Sequence, residues 1–162
     1  MDPHTWLIYS VAALGLSLSP GPNGLLALTH GALYGWRRTL STIAGGAVGF
    51  TILIALSLFG IGALLQSTLI GLTILKLVGG AYLIWLGIQV WRAPPVGETL
   101  APVLQSSRKR TLFRQAALSA VTNPKGILFF AAFLPQFVDP QRELVLQFVL
   151  MAATFVLIEI VT

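Results

Sequence analysis

This sequence predicts an all-α integral membrane protein, a polytopic helical bundle. The chain is 56% hydrophobic and only 9% charged, where an ordinary soluble domain carries about 25% charged residues. Its mean hydropathy is +0.85, more apolar sequence than one soluble core can hide. The apolar runs are long and unalternating, whereas a membrane barrel shows ~10-residue alternating segments.

The first segment runs from about Thr5 to Tyr34 and is interrupted at Leu18-Ser19-Pro20-Gly21-Pro22-Asn23-Gly24. Proline lacks an N–H and clashes with the preceding turn, so no helix passes Pro20 and Pro22 undisturbed. In lipid the freed backbone groups go unsatisfied unless the break is buried in protein or lines a cavity. Gly35-Trp36-Arg37-Arg38 reads as a short polar turn. Segment two, about Thr39 to Leu65, is long enough to cross the membrane with some tilt. Segment three follows from about Leu69 to Trp91. Residues 92–111 form the one long polar connection, with Pro94, Pro95, Pro102 and the basic run Arg108-Lys109-Arg110. Segment four, about Leu112 to Leu134, is interrupted at Asn123-Pro124-Lys125-Gly126. After a turn at Pro135–Pro140, segment five starts near Glu143 and is still apolar at Thr162.

The net charge of +5 is topological and does not point to nucleic acid. If every segment spans, one side holds seven Lys/Arg: Arg37, Arg38, Arg92, Arg108, Lys109, Arg110 and Arg114. The opposite side holds only Arg142, and Lys76 and Lys125 lie inside segments. The positive-inside rule puts loop 92–114 in the cytoplasm and the N-terminus outside. The N-terminus has no basic stretch and no small-x-small cleavage site, which argues against a cleaved signal peptide. There is no cysteine, so disulfides and thiolate ligands are excluded.

The two breaks resemble each other. At a shift of 102 positions, Leu16-Ser17 falls on Leu118-Ser119 and Pro22-Asn23-Gly24 on Pro124-Lys125-Gly126. Either the match is coincidence or the chain holds a repeat of three spans. An odd number of spans per copy inverts the second copy, an arrangement common in secondary transporters. The repeat divides the chain into a first copy at 1–92, a cytoplasmic basic loop at 93–111 and an incomplete second copy at 112–162. It predicts a sixth span that is absent from this chain.

Three motifs, in order and at matching distances, resemble the LysE/RhtB family of amino-acid exporters. The first is Ser19-Pro20-Gly21-Pro22-Asn23, followed by Gly31, Gly35, Arg38 and Gly45-Gly46-x-x-Gly49. The second is Lys76-Leu77-Val78-Gly79-Gly80-Ala81-Tyr82-Leu83-x-x-Leu86-Gly87. The third is Phe113-Arg114 leading to Asn123-Pro124-Lys125 and then Pro135-Gln136-Phe137. The resemblance covers nearly the whole chain. It implies a bacterial inner-membrane protein of six spans that exports amino acids or close derivatives such as homoserine lactone, driven by the proton gradient.

The residues that could carry the chemistry cluster at the breaks. Asn23 opens the half-helix after the first break. Either it caps that helix, or the helix end, with its partial positive charge, receives a carboxylate. Gly21 and Gly24 either permit the turn or let the backbone approach a ligand. Asn123 and Lys125 are the counterparts in the second half, with Pro124 as the helix breaker. A lysine at that depth faces the interior or a wet cavity. It attracts a substrate carboxylate or bonds carbonyls freed by the break. Three residues are candidates for coupling. Lys76 either snorkels to the interface or lines the pathway. Glu159 is a proton carrier or an ion-pair partner for Lys76 or Lys125. His30 titrates near neutral pH or is simply hydrogen-bonded in the bundle. Gly45 and Gly49, like Gly31 and Gly35, have the spacing that lets helices approach closely, within the bundle or across a homo-oligomer.

The expected function is therefore secondary export of a small amino-acid-like solute, bound near the midplane between the two broken helices. No resident cofactor or metal is expected. A metal-cation exporter would want several carboxylates, histidines or thiolates together. A membrane enzyme would need paired acids or a nucleophile with its base. Neither pattern is present in the sequence. A non-transporting membrane subunit has little use for two broken helices.

Overall fold

A computed structural model describes residues 1–19, 21–61, 108–139 and 141–162, with Leu77 and Ile88 in isolation. The described chain is helical. Helix α1 spans Pro3–Leu18, α2 Pro22–Tyr34 and α3 Trp36–Ala55, which runs on as a π-helical turn over Leu56–Ile61. Helix α4 spans Lys109–Val121, α5 Pro124–Phe133 with a 3₁₀ turn over Leu134–Phe137, and α6 Leu144–Val161. Segment three apart from Leu77 and Ile88, and the connection as far as residue 107, lie outside the described residues, as does Pro20.

Among the described residues, two helices are long and apolar enough to cross a membrane, Trp36–Gly60 and Leu144–Val161. The pairs α1–α2 and α4–α5 are long and apolar enough only when taken together, and are bent by 54° and 47° at their breaks, as in a broken span or a re-entrant loop. The fold is an all-α polytopic membrane bundle. One order occurs twice among the described residues: a helix, a break, a shorter helix, then a long helix. Helices α2 and α5 each begin at a proline, Pro22 and Pro124, 102 residues apart.

Local chemistry sets the helix ends. Asp2 caps α1 by accepting from the His4 and Thr5 N–H groups at 2.9 and 3.1 Å. Together with the Thr5 hydroxyl, the largest influence, these bonds hold its carboxyl down to about 2. The polar turn expected at 35–38 is shorter than the sequence suggested. Trp36, Arg37 and Arg38 form the first turn of α3, and Gly35 alone makes the corner at φ +78°. Only glycine takes that conformation without strain, so one residue is enough. Helix α4 likewise starts earlier than expected, at Lys109, which draws the basic run into its first turn.

The core lies where α1, α3, α5 and α6 meet. The Phe155 ring stands edge-on to Phe130 at 4.8 Å and to Phe50 at 5.2 Å. Buried Tyr9 on α1 donates to the Met151 carbonyl on α6 at 2.9 Å. Trp6 donates from Nε1 to Thr154 at 3.0 Å on the same pair of helices. The Ser57 hydroxyl, in the π-helical turn, donates to the Phe130 carbonyl of α5. Large apolar side chains such as Leu7, Val11, Leu28, Leu146 and Leu157 face outward, as lipid contact requires.

Helices α3 and α4 touch backbone to backbone. A Cβ on Gly45 would sit 2.1 Å from the Phe113 carbonyl oxygen, and one on Gly49 2.5 Å from that of Ala117. The Gly45/Gly49 stripe is thus used inside the bundle. Gly31 and Gly35 form no matching stripe, because Gly35 is the corner between α2 and α3.

Candidate functional site

The two breaks meet. A Cβ on Gly21, at the start of α2, would lie 3.6 Å from Lys125 Nζ and 3.7 Å from Asn123 Nδ2, at the start of α5. Between them opens a cavity of about 330 Å³, at the small end of the ~300–1,000 Å³ range of ligand pockets. Gly21, Asn23, Gly24, Asn123 and Lys125 all line it, along with Ser17 at the end of α1 and Glu159 on α6. Phe50 and Phe155 supply apolar wall.

The half-helix starts differ in one respect. Asn123 is the N-cap of α5, and its side chain accepts from the Lys125 N–H at 3.1 Å. The equivalent place in α2 is Gly21, which has no side chain to offer, and no side-chain cap bond forms there. Asn23 lies two residues beyond it, inside the helix. It therefore does not cap α2, contrary to one of the two roles expected of it. It is 7% exposed, and its Oδ1 has no hydrogen-bond partner among the described residues. The first N–H groups of a helix have no intrahelical partner, and Asn23 and Gly24 at this end border the cavity. In the 102-residue alignment Asn23 matches Lys125, and both stand at the second position of their half-helices.

Lys125 is buried, and its Nζ donates to the Leu16 and Ser19 carbonyls. These lie in the last turn and C-cap of α1, where helix carbonyls lose their regular intrahelical partners; the Leu16 carbonyl also accepts from the Ser19 N–H at 3.3 Å. A cation from the second break thus caps the helix that ends at the first. An ammonium has three donors, so one remains. Glu159 accepts from the Ser17 hydroxyl at 2.6 Å.

Other candidates are not brought here. His30 is buried against α3, with Nδ1 2.7 Å from the Thr42 hydroxyl, and does not line the cavity. Pro22 opens α2 and Pro124 opens α5, while Pro20 and Lys76 fall outside the described residues. Among the described residues, no three His, Asp or Glu side chains form a group that could hold a metal.

Two positions escaped sequence reasoning. Ser17 stands one turn before the break, and nothing local marks it as the partner of a residue 142 positions away. Gly46 lies beneath Asn23, where a Cβ would come within 2.5 Å of Asn23 Nδ2. It is legible only as one glycine of the Gly45-Gly46-x-x-Gly49 run. Gly46→Ala is expected to push the Asn23 amide out of place. Transport should then fall as far as in Asn23→Ala, with normal abundance in the membrane; a fully active Gly46→Ala would show that the amide position is immaterial.

Broken helices meeting around a small, part-polar cavity inside an apolar bundle define a membrane translocator. The LysE type translocator family model matches residues 14–161. An uncharacterized membrane protein of Vibrio cholerae is 40% identical over 98% of this chain and 77% of its own length. A homoserine/homoserine lactone efflux protein of Salmonella typhimurium is 38% identical over 96% of this chain and 75% of its own. A leucine efflux protein of an Enterobacter species is 31% identical over 81% and 62%. No solved structure matches the chain. The chain belongs to the LysE type translocator family, and it is a transporter rather than an enzyme.

Proposed function

We propose that this protein is a secondary transporter in the bacterial inner membrane. It exports amino acids or close derivatives such as homoserine lactone from the cytoplasm, driven by the proton gradient. The observation that carries this reading is the meeting of the two breaks around one cavity. Two relatives named for efflux of homoserine and its lactone and of leucine support the substrate class.

Asn23, Gly21, Gly24, Asn123 and Lys125 form the substrate site in this reading. The carboxylate or carbonyl end of the solute faces the open start of α2, where backbone N–H groups and the helix dipole favour negative charge. The third donor of Lys125 assists. The equal spacing of α2 and α5 supports two copies of one unit, 1–92 and 112–162, joined by the basic loop 93–111. Opposite orientation of the copies follows if each copy has three spans. The seven Lys/Arg of the two basic connections set the loop 92–114 in the cytoplasm and the N-terminus outside. Alternating access then rocks one copy against the other around the cavity.

The test is efflux. Bacteria expressing the protein are loaded with amino acids through dipeptides, and external amino acids are followed with time. Export above the empty-vector control is expected, lost by tenfold or more (about 1.4 kcal/mol or more) in Asn23→Ala at normal membrane abundance. No export of any amino acid or lactone would overturn the substrate class. Full export by Asn23→Ala would overturn the site alone.

A further inference from the structure

We infer that Glu159 is the acceptor for the substrate's ammonium group, so that the cavity selects solutes by their free amine. This rests on the exporter reading above and deepens it.

Glu159 shares more with the start of α2 than the main cavity. Together with Asn23 and Gly24 it lines an adjoining recess of about 60 Å³, walled by Ile43 and Ala47. The acid and the open helix start are thus neighbours across a space the size of a small polar headgroup. Their charges are opposite. A helix start is a partial positive end, and the carboxylate faces it from α6.

The acid has capacity to spare. A carboxylate offers two oxygens and about four acceptor positions. One oxygen, Oε2, takes the Ser17 hydroxyl at 2.6 Å. Among the described residues, no Lys, Arg or His nitrogen lies within salt-bridge distance of it; the one ion pair is Arg142–Asp139. Lys125 lines the same cavity, yet its ammonium is directed to the Leu16 and Ser19 carbonyls. Two of the three donors of the nearby cation are therefore committed to the backbone. A carboxylate lining a largely apolar cavity calls for a cationic partner, and a substrate ammonium supplies it. Asn23 Oδ1, without a partner among the described residues, is a second acceptor on the same wall. The site then holds both poles of an amino acid, the amine at Glu159 and the carboxyl end at α2. A neutral carbonyl can replace the carboxylate at a helix start. Nothing can replace the amine at Glu159.

The experiment uses vesicles containing the purified protein, with no proton gradient. Exchange of a labelled amino acid that the protein exports is measured against two competitors, its amide and its N-acetyl derivative. The amide is expected to compete like the parent, and the N-acetyl form to be weaker by roughly tenfold or more. Glu159→Gln is expected to lose exchange by a similar factor. Ser17→Ala, which keeps the carboxylate, is expected to retain the preference for free amines. Equal competition by the N-acetyl form would overturn the assignment without needing any variant. So would a Glu159→Gln protein that exchanges normally and loses only gradient-driven export, the signature of a proton carrier. A wild-type protein that exchanges no amine-bearing solute would overturn the exporter reading and this assignment with it.

Discussion

Gly45→Val is expected to abolish the folded protein. Helices α3 and α4 touch through their backbones at this residue. An added Cβ would meet the Phe113 carbonyl oxygen at 2.1 Å, its carbon at 2.9 Å and Cα at 3.0 Å. No side chain can swing away to make room, because the atoms in the way are main chain. The helices must separate, and separation breaks the contacts of Gly49 with Ala117 and Ala120 one turn further on. Within a membrane, helix association depends on such close packing, since lipid is as apolar as the helices. Overpacking a core typically costs about 1–3 kcal/mol, and a clash with backbone belongs at or above the top of that range. The check is membrane abundance and melting in detergent. Gly15→Ala and Gly60→Ala, where a Cβ meets nothing within 4 Å among the described residues, serve as controls and should behave like wild type. A Gly45→Val protein with unchanged melting would mean that α3 and α4 are not so apposed in the membrane.

The features that sequence disclosed are those written in single residues. Two prolines with flanking glycines mark the first break, and Asn123-Pro124 marks the second, because proline acts on its own turn. The matching starts of two half-helices were readable too, since α2 and α5 each open on a proline. The start of α3 was misjudged for a related reason. Two arginines look like a turn, yet the corner needs only Gly35, and a charged first turn is still a helix. What sequence could not disclose is which groups meet. The carbonyls that Lys125 caps lie 109 and 106 residues away. Asn23 and Asn123 looked equivalent by name, but one follows its proline and the other precedes it. That two-residue difference makes Asn123 a cap and leaves Asn23 lining the cavity, its Oδ1 without a partner among the described residues.

Lys125→Met is expected to weaken both the fold and transport. The methionine keeps the length of the stem and removes the donors. The Leu16 and Ser19 carbonyls then lose their cap at the broken end of α1, in a place where water is scarce and each unpaired carbonyl is costly. Hydrogen bonds to charged groups contribute about 1.5–3 kcal/mol each. Relief from burying an ammonium offsets part of the loss, so a net fall of about 3 kcal/mol is expected from the two together. The consequence for function follows from position. The end of α1 carries Ser17, which holds Glu159, so loosening that turn disturbs the acid and the helix start at once. Lys125→Arg restores a cation with donors and should recover melting in part. Its broader guanidinium crowds Gly21, so transport should recover less. Melting in detergent and efflux are measured on all three proteins. Wild-type melting in Lys125→Met would show that the carbonyls are satisfied without the lysine, and that its ammonium serves the cavity alone.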